Sequence, residues 1–294
     1  MDKWIRQGKT LIRLYKLYAK MDLLWFLRDT KYCLLYMSTD LICLFASMAG
    51  IFLLSARFGG FGGMTEAEVL FMLGYSTLVD GIYMMFFMGN NTSMVSRIIG
   101  RGQLDHVVIQ PVPIWMHLLC QGFSPVSANS TLLCGIFITG FALRRLPVAV
   151  TPLFLLAVAL NALASCLILM AVIYLISCLA FYAPAAAEEI AQSGLDLFAV
   201  KTYPLGGLGG RVKLLFCTAV PVGMGAWFPS RALLQFGYGY GYGHGADAGA
   251  AIISLMAAPG LAILLVTLTF MIFKKGMNHY ETNGSPRYSG FGHR

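Results

Sequence analysis

Charged side chains are scarce in this sequence. Asp, Glu, Lys and Arg together make up 12% of its 294 residues, whereas hydrophobic residues make up 58%. So few charges could not cover the surface of a water-soluble domain of this length, but long apolar helices inside a lipid bilayer do not need them. The composition therefore predicts an integral membrane protein.

Signatures of catalysis and of nucleotide binding are missing too. The one Gly-Lys pair, at Gly8 and Lys9, precedes Thr10 but lacks the upstream glycine of a phosphate-binding loop. The sequence also contains no His-Glu-x-x-His or Gly-x-Ser-x-Gly motif and no Asp-rich metal motif. We therefore expect no catalytic residue, no metal site and no cofactor in this chain, and we expect that it is not an enzyme by itself.

The cysteines give no sign of a disulfide or metal framework. All seven lie inside or at the edge of apolar segments, and none forms a Cys-x-x-Cys pair. We interpret them as small packing residues. They are Cys33, Cys43, Cys120, Cys134, Cys166, Cys178 and Cys217.

Long apolar segments predict the fold class, an all-α polytopic membrane protein with six transmembrane helices. A crossing needs about 20 apolar residues. The candidate segments are 33–55, 69–89, 115–142, 150–182, a fifth within 184–230, and 250–273. If both termini are cytoplasmic, 17 of the 21 Lys and Arg residues lie on the cytoplasmic side when the fifth crossing is taken from hydropathy alone. A re-entrant hairpin from the outer face would leave 14 there, and both counts show the bias expected of membrane proteins.

The two ends of the chain are predicted to lie outside the membrane-spanning domain of residues 33–275. Residues 1–32 repeat Leu11, Leu14 and Tyr18 on one helical face and basic residues on another, which predicts an interfacial helix with its apolar side in lipid. The polar tail 276–294 is predicted to be disordered. The net charge of +8 is interpreted as a match to anionic membrane lipid and not as evidence for nucleic acid.

One carboxylate lies near the middle of the second span. Asp80 shares a helical face with Ser76 and Tyr83, and a charge at that depth costs at least ~2.5 kcal/mol. This face is therefore predicted to meet protein or a cavity. Two interpretations stay open, a polar substrate path in which Asp80 is a counter-charge for a cationic guest, and a buried acid that is hydrogen-bonded to a neighbouring helix.

A short polar segment, 90–114, separates the second and third spans on the predicted cytoplasmic side. Within it, Gly102, Leu104, Asp105 and Pro111 match the pattern Gly-x-Leu-Asp-x-x-Leu-x-x-Pro, with Val108 in place of the second Leu. The segment resembles the cytoplasmic coupling segment of ABC-2-type transporter permeases of the six-span subfamily. The resemblance implies an ATPase-binding surface formed by Arg101, Gly102, Leu104, Asp105, Val107, Val108 and Pro111.

The region 184–235 is open to two interpretations. By hydropathy alone, 211–228 is the fifth crossing and 184–210 is a cytoplasmic loop. The run from Tyr203-Pro204-Leu205 through Arg211 to Pro229 also resembles that subfamily, which implies a polar fifth helix followed by a re-entrant hairpin from the outer face. We favour the hairpin, because a Gly- and Pro-interrupted segment needs its backbone buried in protein.

Taken over the whole chain, the resemblance implies the permease subunit of an ATP-driven, type V exporter-like ABC-2 transporter in a bacterial inner membrane. It implies an N-terminal elbow helix at 1–32, a second permease that is identical or related, and separate ABC ATPase subunits that bind ATP and Mg. The alternatives are an ATP-independent secondary carrier and an ion channel. The Gly-Tyr repeat at 237–243 does not favour a channel, because it lacks the Thr-Val pair of a potassium filter and predicts an outer loop.

Overall fold

The computed structural model describes residues 2–87, 95–242 and 248–283, and these residues form twelve α-helices and no strand. Short 3-10 turns connect several of the helices. The α-helices are α1 (Asp2–Arg28), α2 (Thr30–Phe58), α3 (Glu66–Phe86), α4 (Val95–Gly100), α5 (Leu104–Val108), α6 (Ile114–Cys120), α7 (Asn129–Leu143), α8 (Pro152–Ser177), α9 (Ala187–Ala199), α10 (Gly210–Cys217), α11 (Trp227–Tyr242) and α12 (Ala248–Asn283).

Among the residues that the structure describes, four helical segments are long and apolar enough to cross a membrane. They are Thr30–Phe58, Glu66–Phe86, Pro152–Phe181 and Gly249–Asn283. They coincide with the first, second, fourth and sixth predicted spans, and the all-α polytopic class is confirmed. The apolar helix α7 is shorter, with 15 residues, and α9 has 13. The count of six crossings therefore stays a prediction.

The third predicted span, 115–142, is not one continuous helix. It divides into α6 and α7 at a turn over residues 121–128, where Gly122 has a φ of +95°. Asp22 of α1 accepts hydrogen bonds from the backbone N–H groups of Val126 (2.7 Å) and Ser127 (3.2 Å) and from the Ser127 hydroxyl (2.5 Å). The carboxylate thus satisfies backbone donors that a continuous helix would have satisfied itself.

The helix α1 covers most of the amphipathic segment predicted at 1–32. Tyr15 faces the rest of the protein and packs edge-on against Phe123, with ring centroids 5.0 Å apart. Ile12, Leu17 and Met21 are exposed. One side of α1 therefore packs on the turn before α7 while another presents apolar side chains outward, which suits an interfacial helix.

Glycines allow α3 and α7 to cross at close range. A Cβ at Gly81 would collide with the backbone of Leu132, and a Cβ at Gly135 would collide with the backbone of Leu78. Small residues at a crossing bring two helix backbones together, which is how many helices associate in membranes. This crossing fixes α7 against the helix that carries Asp80.

The chain after α9 runs from one end of the helix bundle towards its middle. Pro204 and Gly206 lie against Gly62, in the loop between α2 and α3. The backbone carbonyl of Met224 then accepts a hydrogen bond (3.1 Å) from the hydroxyl of Ser165. Ser165 lies halfway along α8, so residues near 224 reach the middle of the bundle.

The helix α11 returns to the end where the segment began. Gly237 lies against Val148, in the loop between α7 and α8. The hydroxyl of Tyr238 donates a hydrogen bond (3.0 Å) to Glu68 in the first turn of α3. The predicted loop at 237–243 is wrong for residues 237–242, which are helical, and residue 243 lies outside the described residues.

The predicted disordered tail, 276–294, begins too early. The helix α12 continues to Asn283, because its last turns have packing partners. Gly276 lies against the ring of Phe181, and Met277 and Tyr280 are buried in the same apolar cluster. The part of the tail after residue 283 lies outside the described residues.

Candidate functional site

The segment that joins α3 to α6 folds into two short helices, α4 and α5, linked by a tight turn at Gly102. Gly102 has a φ of +65°, a left-handed conformation that favours glycine. Gln103 donates its backbone N–H to the carbonyl of Ile98 (2.9 Å), which closes the turn. Gly102 therefore lets α5 fold back beside α4.

The predicted contact residues of this segment divide into a buried set and an exposed set. Leu104 is 1% exposed, and Val107 is also buried, in a cluster with Ile99 and Phe181. Val108 and Ile109 are 44% and 78% exposed. Leu104 and Val107 therefore support the segment from inside, in contrast to our expectation that they contact a partner, and Val108 and Ile109 present its apolar surface.

Of the other predicted residues, Gly102 is buried in the turn and Asp105 is half-buried. Arg101 and Pro111 are exposed. Asp105 accepts a hydrogen bond (2.7 Å) from the hydroxyl of Tyr280, near the end of α12. Asp105 therefore fastens α5 to the C-terminal part of the chain.

A cleft opens beside this surface, between the first turns of α1 and the chain that leads into α6. Its volume is about 380 Å³. The lining residues are Arg6, Gln7, Thr10, Pro111, Pro113 and Met116. The exposed Pro111 lines the cleft and follows Ile109 by two positions. We therefore treat Val108, Ile109 and the cleft together and call them the coupling surface.

Two arginines tie α4 to the start of α9. The guanidinium of Arg101 lies 2.6 Å from one carboxylate oxygen of Glu188, and Arg97 forms an ion pair with the other oxygen. The hydroxyl of Ser96 also donates a hydrogen bond to the carbonyl of Ala187 (2.9 Å). The segment that carries the coupling surface and the first turn of α9 are therefore one packed unit.

Asp80 has a partner that sequence reasoning missed. The ammonium group of Lys201, just after α9, lies 2.8 Å from a carboxylate oxygen of Asp80. Lys201 is 6% exposed, while the Asp80 side chain is 25% exposed. The hypothesis of a counter-charge for a cationic guest assumed an unpaired carboxylate, and this carboxylate already has a cation.

The other two residues of the predicted polar face do not join this ion pair. Ser76 and Tyr83 are buried, and within the described residues their hydroxyl groups have no hydrogen-bond partner. The prediction that this side of α3 meets protein therefore agrees with their burial. No signal in the sequence linked Lys201 to Asp80, because 120 positions separate them and Lys201 lies in a polar stretch that resembles a loop.

The described residues contain no group of three or more His, Cys, Asp or Glu side chains that could hold a metal ion.

The fold and this segment define a class of protein. It is a polytopic, all-helical membrane protein with a structured segment between its second and third membrane regions. Comparison with known protein families is more specific. The family described as ABC-2 family transporter protein matches residues 41–284.

This chain therefore belongs to the ABC-2 family of transporter proteins. The family provides the membrane component of ABC transporters, has no nucleotide-binding domain of its own and typically partners with an ABC ATPase. Comparisons with curated proteins and with solved structures found no match.

Proposed function

We propose that this chain is the permease subunit of an ATP-driven exporter and that a separate ATPase subunit docks on the coupling surface. The observation that carries the proposal is the exposure of Val108 and Ile109 on a segment that is otherwise firmly packed. Exposed neighbouring apolar side chains on a rigid support are typical of a protein interface. Since the chain lacks a phosphate-binding loop, ATP and Mg would bind to the partner.

The packing of α4 and α5 supports a mechanical role for this surface. The segment contacts α9 through Glu188, α12 through Tyr280, and the 3-10 turn that continues α8 through Phe181. A push on Val108 and Ile109 would therefore reach three helices as a rigid-body motion. Such motion is how ATP binding in one subunit could change the shape of another.

We propose in addition that residues 205–242 form a re-entrant hairpin from the outer face. The contacts that support this run from Gly62 at one end of the bundle, to Ser165 at its middle, and back to Glu68 at the first end. With both termini in the cytoplasm, the loop that contains Gly62 is external. The hairpin would then lie on the outward path, between this permease and a second, identical or related one.

The position of the hairpin can be tested by labelling. A cysteine at Gly206 would collide with the Gly62 carbonyl, but Gly210 has open space around it. Gly210→Cys, in a chain whose native cysteines are replaced, should react with a membrane-impermeant thiol reagent from outside the cell. Reaction from the cytoplasmic side alone would place 211–228 as the fifth crossing.

The main proposal is tested by purification with a partner. The tagged chain, expressed together with its neighbouring genes, should carry an ATPase subunit in constant ratio through detergent purification. Its ATP hydrolysis should require the phosphate-binding lysine of that subunit. A chain that purifies alone and transports with an ion gradient in place of ATP would instead be a secondary carrier.

A further inference from the structure

The helix α9 is held by ion pairs at both ends. Its first turn carries Glu188, which binds Arg97 of α4 and Arg101, the residue after α4. Two residues after its last turn, Lys201 binds Asp80 of α3. The 13 residues of this helix therefore connect the segment that carries the coupling surface to an ion pair inside the helix bundle.

Lys201 also supports the innermost turn of the proposed hairpin. A Cβ at Gly225 would lie 3.3 Å from both Cβ and Cδ of Lys201, so the aliphatic part of the lysine packs directly on that backbone. The preceding residue, Met224, is held by the hydrogen bond from Ser165 to its carbonyl. The turn Pro221–Met224 and Gly225 thus lie on the lysine side chain that Asp80 fixes.

We propose that α9 transmits motion from the coupling surface to this inner turn and that the Asp80–Lys201 ion pair is the joint through which it does so. The inference rests on the proposed function, because it assumes that a partner moves the coupling surface. It assigns Asp80 a positioning role between helices, where the sequence alone had allowed a contact with substrate.

Physical reasons favour a joint at this place. A buried charge is costly to separate from its partner, because it is then left without either the partner or water. Lys201 is almost fully buried, so it would keep its contact with Asp80 while α9 moves. If Arg97 and Arg101 displace α9, Lys201 and the turn that lies on it should therefore shift together.

The experiment measures the accessibility of the inner turn with a cysteine at position 224. Met224 is buried, so M224C, in a background without native cysteines, should react slowly with an impermeant thiol reagent added from outside. Adding D80N removes one charge of the joint, and labelling should become at least roughly tenfold faster because the remaining buried charge is costly. The charge-swapped pair D80K/K201D should restore slow labelling.

Nucleotide provides the second measurement. In the complex with its ATPase, a non-hydrolysable ATP analogue should change the labelling rate of M224C. E188Q weakens the attachment of α9 to α4, so it should keep slow labelling without nucleotide but remove most of the response to the analogue. D196N is the matched control, since it removes an exposed acid of the same helix whose hydrogen-bond partner is Gln192, and it should respond like the natural chain.

Several outcomes would overturn the inference. D80N with natural slow labelling would show that the ion pair does not hold the turn, and E188Q with a full nucleotide response would show that α9 does not transmit the motion. A cysteine at Leu233, which is fully buried in α11, is the control for unfolding and must stay unreactive in D80N. If it reacts, D80N has unfolded the protein, and the labelling of M224C in the charge-swapped variant then decides whether the ion pair holds the turn. If no ATPase purifies with the chain, the proposed function fails, while the comparison of D80N with the swapped pair still tests the joint.

Discussion

Ile109→Asp should separate the binding of the ATPase from the stability of the permease. Ile109 is 78% exposed, so an aspartate there should change the free energy of unfolding by less than about 0.5 kcal/mol. Burying an isoleucine side chain in an interface is worth about 1.5–3 kcal/mol. Its loss should therefore weaken ATPase binding by roughly 10- to 150-fold.

The assay combines two measurements on the same detergent-purified variants. Thermal unfolding of the permease alone reports stability, and capture of the purified ATPase subunit at a series of concentrations reports affinity. Ile109→Leu keeps an apolar side chain of the same size and should bind like the natural chain. Leu104→Ala is the contrasting variant, because Leu104 is 1% exposed and truncation should cost about 2–5 kcal/mol of stability. Natural affinity in Ile109→Asp would refute the assignment of the coupling surface.

Three further substitutions test packing contacts of the fold, the last of them at α5. Asp22→Ala leaves two backbone N–H groups without their acceptor, so the free energy of unfolding should fall by about 1–3 kcal/mol for each group. The unfolding temperature should therefore fall further in Asp22→Ala than in Asp22→Asn. Gly81→Val should destabilise the α3–α7 crossing by at least about 1–3 kcal/mol, because the added atoms meet the backbone of Leu132; unchanged thermal unfolding would contradict this. Tyr280→Phe removes the hydrogen bond to Asp105 and should lower the local stability by about 1 kcal/mol. Hydrogen exchange should then be faster in α5 and at the end of α12. Unchanged exchange would show that the bond does not hold α5.

The long helices could be predicted from the sequence because hydropathy is a local property. The second predicted span, 69–89, and the helix Glu66–Phe86 differ by three residues at each end, which is usual for boundaries predicted from sequence. The break in the third span was missed, because the apolar residues on both sides of Gly122 conceal a turn. That turn depends on the carboxylate of Asp22, about a hundred positions earlier.

The candidate site shows the same division between local and distant information. Gly102 was predicted from the family pattern, as a contact residue, whereas the structure buries it in a tight turn whose positive φ favours glycine. Which side of α5 faces inward depends on Phe181 and Met277, which lie far along the chain, so the sequence did not distinguish Leu104 from Val108. The Asp80–Lys201 pair was missed for a related reason, because the sequence shows only that 184–204 is polar and not which residue of α3 its lysine meets.

Native mass spectrometry of the tagged chain, purified from membranes of cells that also express its neighbouring genes, tests the central claim most directly. The account predicts one particle with two permease subunits and two ATPase subunits, and predicts that Ile109→Asp releases the ATPase while the permease remains folded. A particle that contains this chain without any nucleotide-binding subunit, in the natural protein as in the variant, would contradict it.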